Sequence, residues 1–258
     1  MIVKDKDYDE VLGIRRSLLW EMHRSPAHFF YKWTHEQEHT KALDFGIAMH
    51  MKLLEPDKFT LTYAKIPKVD RRTKEGKAAY DKAFYEAHGR ELIPEEQWTQ
   101  MEEMAAKVWS NETASKLLNG AHEQIYKWAD PETSEPCKIK VDCLTTYEGV
   151  PMIVDYKTCD SCEDRAFRAA VRKYGYKFQA GMYATGVENE LLEAVRFAFI
   201  AQEKNPPYAV RVFFCDENWV STGKLEFHNL LRRYHNCMQS GNWEGIRTEY
   251  YWRRNMSK

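Results

Sequence analysis

Two neighbouring segments decide the fold of this chain: Lys138-Ile-Lys-Val-Asp142-Cys-Leu144 and Pro151-Met-Ile-Val-Asp155-Tyr-Lys157. Each has the β-branched and aliphatic residues that are typical of a strand. Because residues two apart in a strand point to the same face, Asp155 and Lys157 project together. If the turn over residues 145–150 folds the two strands into a hairpin, Asp142 reaches the same place. The hairpin would therefore bring two carboxylates and one ammonium group together.

Two carboxylates crowded beside a lysine need a stabilising partner. A hard divalent cation is one such partner, because it prefers oxygen ligands and activates a water that the lysine can contact. The alternative is a surface salt bridge between Asp155 and Lys157 on an exposed strand. The aliphatic residues before Asp155 favour a buried central strand over that alternative.

The composition describes a soluble chain with an ordinary core. It has 258 residues, of which 43% are hydrophobic and 30% are charged, and its net charge is −1. A protein coated in positive charge is excluded, although a local basic groove is sufficient to bind nucleic acid. No apolar run approaches the roughly 20 residues that span a bilayer, and the N-terminus lacks the apolar stretch of a secretory signal. We therefore expect a cytoplasmic protein without a membrane partner.

The six cysteines are scattered, and in a cytoplasmic protein we expect them to be free thiols. Cys159 and Cys162 form a CxxC pair. A zinc or iron–sulfur site needs about four ligands, and the sequence has no second close pair of cysteines. We therefore interpret this CxxC as a turn.

The order of the predicted elements indicates an α/β fold with a central mixed β-sheet flanked by helices. The part before residue 121 has mainly helical patterns, with helices over 26–33, over 40–54 and from residue 94, and a polar loop over 61–76. The later elements are strands near 123–129, 137–145 and 152–158, a helix over 164–185, strands over 194–201 and 208–215, and a helix over 217–239. We predict one domain over 1–258, divided into a mainly helical part (1–120), a core (121–240) and a C-terminal tail (241–258).

Further residues carry a resemblance to a known family. In chain order, Asp142, Asp155-Tyr-Lys157 and Gln179-Ala-Gly-Met-Tyr183 resemble the motifs of the PD-(D/E)XK nuclease superfamily, and the last is similar to the RecB-like branch. Upstream, His50 stands in a segment that resembles the histidine-bearing helix of the RecE (exonuclease VIII) nuclease domain and related phage exonucleases. The resemblance covers most of the chain and implies a restriction-endonuclease-like core.

The resemblance also implies roles for these residues. The expected metal ligands are Asp142, Asp155, the backbone carbonyl of Tyr156 and His50. The expected ion is Mg²⁺, and Mn²⁺ could replace it because imidazole also suits Mn²⁺. Lys157 would lower the pKa of the attacking water or stabilise charge on the phosphate. His50 has an alternative as a histidine of the core, because its helix also carries several apolar side chains.

Three more residues are candidates for the site. Glu123 begins the first strand and could bind a second metal or a water, or lie at a solvated strand end. Gln179 and Tyr183 are four residues apart on one helical face and could bond a phosphate, a base edge or the catalytic residues. Their alternative is a helix that packs Tyr183 in the core with Gln179 at its edge.

Basic residues form two clusters that are candidates for contact with DNA. The first lies on one stripe of the predicted helix over 164–185 and beside it: Arg165, Arg168, Arg172 and Lys177. It would lie beside the metal, although a stripe of charge is usually a solvated face. The second lies in the predicted loop, whose alternative is a flexible solvated segment: Lys65, Lys68, Arg71, Arg72, Lys74 and Lys77. In addition, Arg15-Arg16-Ser17 could bind a terminal phosphate.

By resemblance, we expect an exodeoxyribonuclease that degrades linear double-stranded DNA from 5′ to 3′. Its partners would be duplex ends and a single-strand annealing recombinase that receives the 3′ tails, and it would form a homo-oligomeric ring. One alternative is a Cas4-like or other repair nuclease, in which iron–sulfur cysteines bracket the core. The cysteines nearest the motifs lie inside the core instead: Cys137, Cys143, Cys159 and Cys162. The other alternative is a DNA-binding module without catalysis, against which the intact acid–acid–lysine set argues.

Overall fold

The computed structural model of the chain describes residues 2–3, 8–35 and 40–246. Its strands, in chain order, are β1 (Ile2–Val3), β2 (Ile14–Arg15), β3 (Tyr63–Ile66), β4 (Glu91–Pro94), β5 (Ala121–Ala129), β6 (Pro136–Tyr147), β7 (Val150–Cys159), β8 (Arg196–Glu203) and β9 (Val210–Cys215). Its helices are α1 (Arg16–Leu19), α2 (Pro26–Thr34), α3 (Lys41–Leu54), α4 (Pro56–Thr62), α5 (Lys74–Glu86), α6 (Glu95–Ser110), α7 (Glu112–Leu117), α8 (Asp164–Tyr174), α9 (Tyr176–Leu191) and α10 (Glu217–Ser240).

A mixed seven-stranded sheet forms the centre of the molecule. Its order is β1-β5-β6-β7-β8-β9, and β2 also pairs with β6. The β7–β8 and β2–β6 pairs are parallel, whereas the other pairs in this sheet are antiparallel. Strands β3 and β4 form a separate parallel pair. The predicted α/β fold, with a mixed sheet flanked by helices, is therefore confirmed.

Helices cover both faces of this sheet, because side chains along its strands alternate between two cores. Ile153 packs with residues of α9 and α10, such as Phe178 and Phe227. Val154 and Tyr156 pack on the other side with residues of α3, α4, α6 and α7. The same alternation directs Asp155 and Lys157 toward α9. No helix within residues 8–35 and 40–246 combines the length and the apolar character that crossing a membrane requires.

The sheet forks between β6 and β7. The paired residues of these strands run from the turn as far as Cys143 and Val154. Beyond that point, β2 lies beside the first part of β6, while β7 continues along β8. The first two residues inside the fork are Asp142 and Asp155. The fork therefore opens a space at the place where the sequence predicts two carboxylates.

Two parts of the chain differ from the predicted elements. The predicted loop over residues 61–76 contains β3 and the first turn of α5, which begins after the N-cap Thr73. Because β3 pairs with β4, almost 30 residues later, local polarity could not reveal it. The predicted helix over 164–185 is two helices, separated by Gly175 in the left-handed conformation (φ 65°). Such a glycine commonly ends a helix. Most of the predicted tail, from residue 247 onward, lies outside the described residues.

Helices α9 and α10 touch each other through two glycines. A Cβ atom at Gly181 would lie 2.0 Å from the backbone carbonyl carbon of Gly223, and a Cβ atom at Gly223 would lie 2.1 Å from the carbonyl oxygen of Lys177. Because backbone atoms cannot move aside as flexible side chains do, neither position tolerates a methyl group. The two glycines therefore set the distance of α10 from the helix that carries Gln179.

We expect Gly223→Ala to lower the free energy of unfolding by about 1–3 kcal/mol, because it overpacks this contact. In an exposed helix the same change is stabilising by up to about 1 kcal/mol, so the sign of the effect is diagnostic. Urea unfolding followed by circular dichroism measures it. The control is Ser221→Ala on the exposed side of α10, which should stay within about 0.5 kcal/mol of the wild type. A stabilised Gly223→Ala protein would contradict the close contact.

Candidate active site

Three carboxylates stand side by side across three strands at the fork. The pairs on both sides of Asp142 place it opposite Glu123 of β5. The last β6–β7 pair is Cys143 with Val154, so Asp142 and Asp155 are the next residues on the two strands. Residues directly opposite each other in antiparallel strands are near neighbours. The sequence-predicted pair of acids is thus extended by a third one, Glu123.

The backbone of Glu123 adopts a conformation that is unusual for a residue of its type. Its φ of 53° lies in the left-handed region, although residues on both sides of it pair normally with β6. This conformation costs a residue with a Cβ atom on the order of 1–2 kcal/mol. Such strain persists only where the surrounding structure holds it, and it is frequent at functional sites. The conformation therefore marks Glu123 as part of a built site.

His50, Glu123 and Asp142 form a group that could hold a metal ion. One potential ligand atom from each lies within 4.8 Å of those from the other two. The Nδ1 atom of His50 lies 3.4 Å from Oδ2 of Asp142, and its ring meets the Tyr156 ring edge-on at 5.1 Å between centroids. His50 comes from α3, on the face of the sheet opposite α9. The structure therefore supports a place for His50 at the site, rather than in the core alone.

The protonation of this group suits a divalent cation. Burial lowers the pKa of His50 to about 4, and the charge of Lys157 adds to this effect, so the imidazole is neutral at pH 7 and free to bind a metal. Burial raises the pKa of Asp142, and burial together with the Asp142 charge raises the pKa of Glu123. Crowded anions of this kind are relieved by a cation. The neutral nitrogen and two carboxylates fit Mg²⁺ or Mn²⁺.

Asp155 belongs to a second arrangement beside this group. Its buried carboxylate lies 2.5 Å from Nζ of Lys157, and its other oxygen accepts a hydrogen bond of 2.5 Å from Nε2 of Gln179. Gln179 is buried on α9, as expected for a residue that orients a catalytic group. The structure thus places Glu123, rather than Asp155, in the group of three with His50. Asp155 as a direct metal ligand stays a prediction.

Tyr156 contributes its backbone to the site in a way that the sequence did not suggest. Its N–H donates a hydrogen bond of 2.9 Å to Oδ2 of Asp142. The side chain of Asp142 therefore replaces the strand partner that β7 loses where the sheet forks. The predicted ligand role of the Tyr156 carbonyl stays a prediction.

Tyr183 and Arg16 interact electrostatically with the acids of the fork. Burial raises the pKa of Tyr183 well above its usual value, so its hydroxyl keeps a proton that it can donate. Burial lowers the pKa of Arg16, whereas the nearby Tyr183 and Asp155 raise it. The guanidinium of Arg16 donates to the carbonyl oxygen of Tyr174, and among the described residues its buried Nε atom has no hydrogen-bond partner. A guanidinium group is well suited to bind an anion.

Lys140 is the site residue that sequence reasoning missed. Its ammonium group forms an ion pair with the carboxylate of Glu123. A signal was present in the sequence, because Lys140 stands two residues before Asp142 just as Lys157 stands two residues after Asp155. Its partner Glu123 has an unusual backbone conformation, which no local pattern predicts.

The first basic cluster lines a cavity away from the metal group. Arg168, Arg172 and Lys177 surround a cavity of about 350 Å³ between α8, β9 and α10, whose other walls include the rings of Phe213 and Trp219. None of the residues of the metal group lines it. Arg165 is exposed on α8 and does not line it either. The expected stripe therefore exists, but it faces this cavity rather than the fork.

Residues of the second basic cluster form ion pairs with acids of α6 and stack on a ring of α5. Lys65 lies 3.3 Å from a carboxylate oxygen of Glu95, and Lys68 pairs with Glu96. The guanidinium of Arg71 stacks on the Tyr80 ring at 3.9 Å. The structure corrects the expected loop at Lys65, which lies in β3, and at Lys74 and Lys77, which lie in α5. Arg72 does lie in a turn, where its N–H donates a hydrogen bond to the Asp70 side chain.

The cysteines give no support to an iron–sulfur site. All six are free, and Cys137, Cys143, Cys162 and Cys237 are buried. In the described part of the chain, the group of possible metal ligands is that of His50, Glu123 and Asp142, without a cysteine. This observation argues against a Cas4-like reading.

Comparison with known proteins agrees with the fold. A crystal structure of a candidate exonuclease from Eubacterium rectale is similar, with 19% identity, a TM-score of 0.64, and coverage of 94% of this chain and 88% of that one. A structure of the protein SSO0001 is a weak match, with 13% identity and a TM-score of 0.30 over 70% of this chain and 84% of that one. No curated protein matches the chain.

A family model gives a broader match. The model of the PDDEXK-like domain of unknown function (DUF3799) matches residues 16–249. This range includes β5 to β9, the histidine-bearing α3 and the glutamine-bearing α9. The chain therefore belongs to this family of PDDEXK-like domains, within the PD-(D/E)XK nuclease superfamily.

Proposed function

We propose that this protein is a divalent-metal-dependent deoxyribonuclease. One observation carries the proposal: the group of His50, Glu123 and Asp142 lies at the same fork as the ion pair of Asp155 and Lys157. The first three residues offer ligands for Mg²⁺ or Mn²⁺, and the pair offers an ammonium group beside them. Family membership supports a nuclease but does not by itself give the substrate.

The side chains at the fork have different roles in the proposed phosphodiester hydrolysis. In the reaction a water oxygen bonds to phosphorus while one backbone P–O bond breaks. A bound divalent ion supplies positive charge toward the phosphate and lowers the pKa of a water. The Lys157 ammonium stabilises the charge that develops on the phosphate oxygens, an effect that is strong in a buried site. Gln179 fixes the carboxylate of Asp155, which holds Lys157 in place.

We further propose that the substrate is the end of a linear duplex, degraded from 5′ to 3′ to leave 3′ single-stranded tails. The RecE-like order of the motifs supports this substrate, as does the structural neighbour described as a candidate exonuclease. Arg16 supports it as well, because its guanidinium interacts electrostatically with Asp155 and is a cation of the kind that binds a terminal phosphate. The homo-oligomeric ring and the annealing recombinase partner rest on the resemblance alone.

The cavity lined by Arg168, Arg172 and Lys177 fits the proposed substrate as well. Cations at its mouth can contact backbone phosphates, and the rings of Phe213 and Trp219 offer apolar surface to a base. The chain has a net charge of −1, so affinity for DNA depends on such local groups of basic residues.

The first test is digestion of a linear duplex labelled at its ends. With Mg²⁺, we expect the wild type to resect the 5′ strand, and Asp155→Ala and Lys157→Ala each to lose activity by about 100-fold or more. Addition of EDTA should abolish the activity. The control is Asp160→Ala, which removes an acid that is 89% exposed and should retain activity. Full activity in both site variants would contradict the site, and equally fast cutting of closed circles would contradict the exonuclease.

The second test concerns the terminal phosphate. We expect Arg16→Ala to lower activity on 5′-phosphorylated ends by about 10- to 100-fold, because a charge-assisted contact is lost, with a much smaller effect on 5′-hydroxyl ends. The matched control is Arg15→Ala, since Arg15 is half-exposed and pairs with Asp9. Comparing initial rates on the two kinds of end measures the effect. An equal loss on both ends would contradict the phosphate contact.

The third test concerns the cavity. We expect the double variant Arg168→Ala with Arg172→Ala to weaken binding of duplex DNA and to reduce the slope of log affinity against log salt by about 2. Fluorescence anisotropy in Ca²⁺ at several salt concentrations measures the slope. Lys107→Ala, which removes an exposed charge on α6, is the control and should leave the slope unchanged. An unchanged slope in the double variant would remove the cavity from the DNA-binding surface.

A further inference from the structure

We propose that Lys140 occupies the place of a second cation, so that the site binds one divalent ion rather than two. The inference rests on the proposed metal-dependent function and addresses the number of ions that it uses. It concerns the ion pair of Lys140 with Glu123, to which the hydrolysis described above assigns no role.

Two lysines belong to the fork, one on β6 and one on β7. Lys140 stands two residues before Asp142 on β6, and Lys157 stands two residues after Asp155 on β7, both beyond the last paired residues, Cys143 and Val154. Each lysine pairs with one outer carboxylate: Lys157 with Asp155, and Lys140 with Glu123. The fork thus contains two built-in cations, one on each side of Asp142.

Asp142 has other contacts than the two outer acids. Among the described residues, no lysine forms an ion pair with Asp142, which is contacted by Nδ1 of His50 and by the N–H of Tyr156. In the same part of the chain, the group of potential metal ligands consists of Asp142, His50 and Glu123. The Oε2 atom of Glu123 pairs with Lys140. A second ion bound through this atom would have to displace the ammonium group of Lys140.

Electrostatic repulsion also disfavours a second ion at this place. A second divalent ion at Glu123 would lie beside the ammonium group of Lys140 within a partly buried space, where like charges repel strongly. Without the charge of Lys140, the same carboxylate is available to a further cation.

The test is a count of bound Mn²⁺, measured by the electron paramagnetic resonance signal of the free ion during titration without DNA. We expect one ion for the wild type, one for Lys140→Arg and two for Lys140→Met. Lys140→Met keeps the apolar stem of the side chain but removes its charge. The control Lys107→Met, which removes an exposed lysine on α6, should bind one ion.

Two ions on the wild type would overturn the inference, and this result does not depend on whether any variant folds. A single ion on a Lys140→Met protein with wild-type circular dichroism and melting would overturn it as well. The count is separate from nuclease activity. A change from one ion to two in a protein that cuts no DNA would support the inference and contradict the nuclease, whereas a wild type that binds no Mn²⁺ would contradict both.

Discussion

The hydrogen bond from the N–H of Tyr156 to the carboxylate of Asp142 is the contact on which the site depends. It lies where β6 and β7 separate, and it gives β7 a partner after the backbone ladder has ended. Without it, a backbone N–H within the sheet would lose its partner, at a cost of about 1–3 kcal/mol. Because one oxygen of Asp142 is fixed in this way, the same residue faces both His50 and Glu123. The side chain of Asp142 therefore holds the backbone of β7 and is also a candidate metal ligand.

Side chains from the helices on both faces of the sheet meet at the fork. His50 arrives from α3 on one face of the sheet, and Gln179 arrives from α9 on the other. Gln179 reaches Asp155 because the chain changes direction at Gly175, where α9 begins. At this glycine, the Trp20 ring fills the space that a Cβ atom would need. The distance from α9 to α10 is set in turn by two glycines. The geometry at the acids is therefore a consequence of helix packing as much as of strand pairing.

The sequence was sufficient for those features that depend on local periodicity. Strand alternation predicted that Asp155 and Lys157 share a face, and helical spacing placed Gln179 and Tyr183 together. The position of His50 needed the family resemblance, since an apolar helix gives no sign of which face meets the acids. Glu123 was a candidate from its place at the start of a strand, but its left-handed backbone and its ion pair with Lys140 were not predicted, because they depend on the pairing of β5 with β6. The pairing of β3 with β4 was missed for a similar reason, as it joins distant segments.

The charges at the fork also explain how a nearly neutral chain could act on DNA. In the proposed nuclease, the crowded carboxylates of the fork disfavour a phosphodiester until a cation is bound, so metal and phosphate favour the binding of each other, and the coupling is reciprocal. The basic residues that would hold DNA are Arg16, whose charge interacts with Asp155, and those along the cavity of α8. The backbone would then be held by fixed cations, while the reacting phosphate would meet Lys157 and the bound metal.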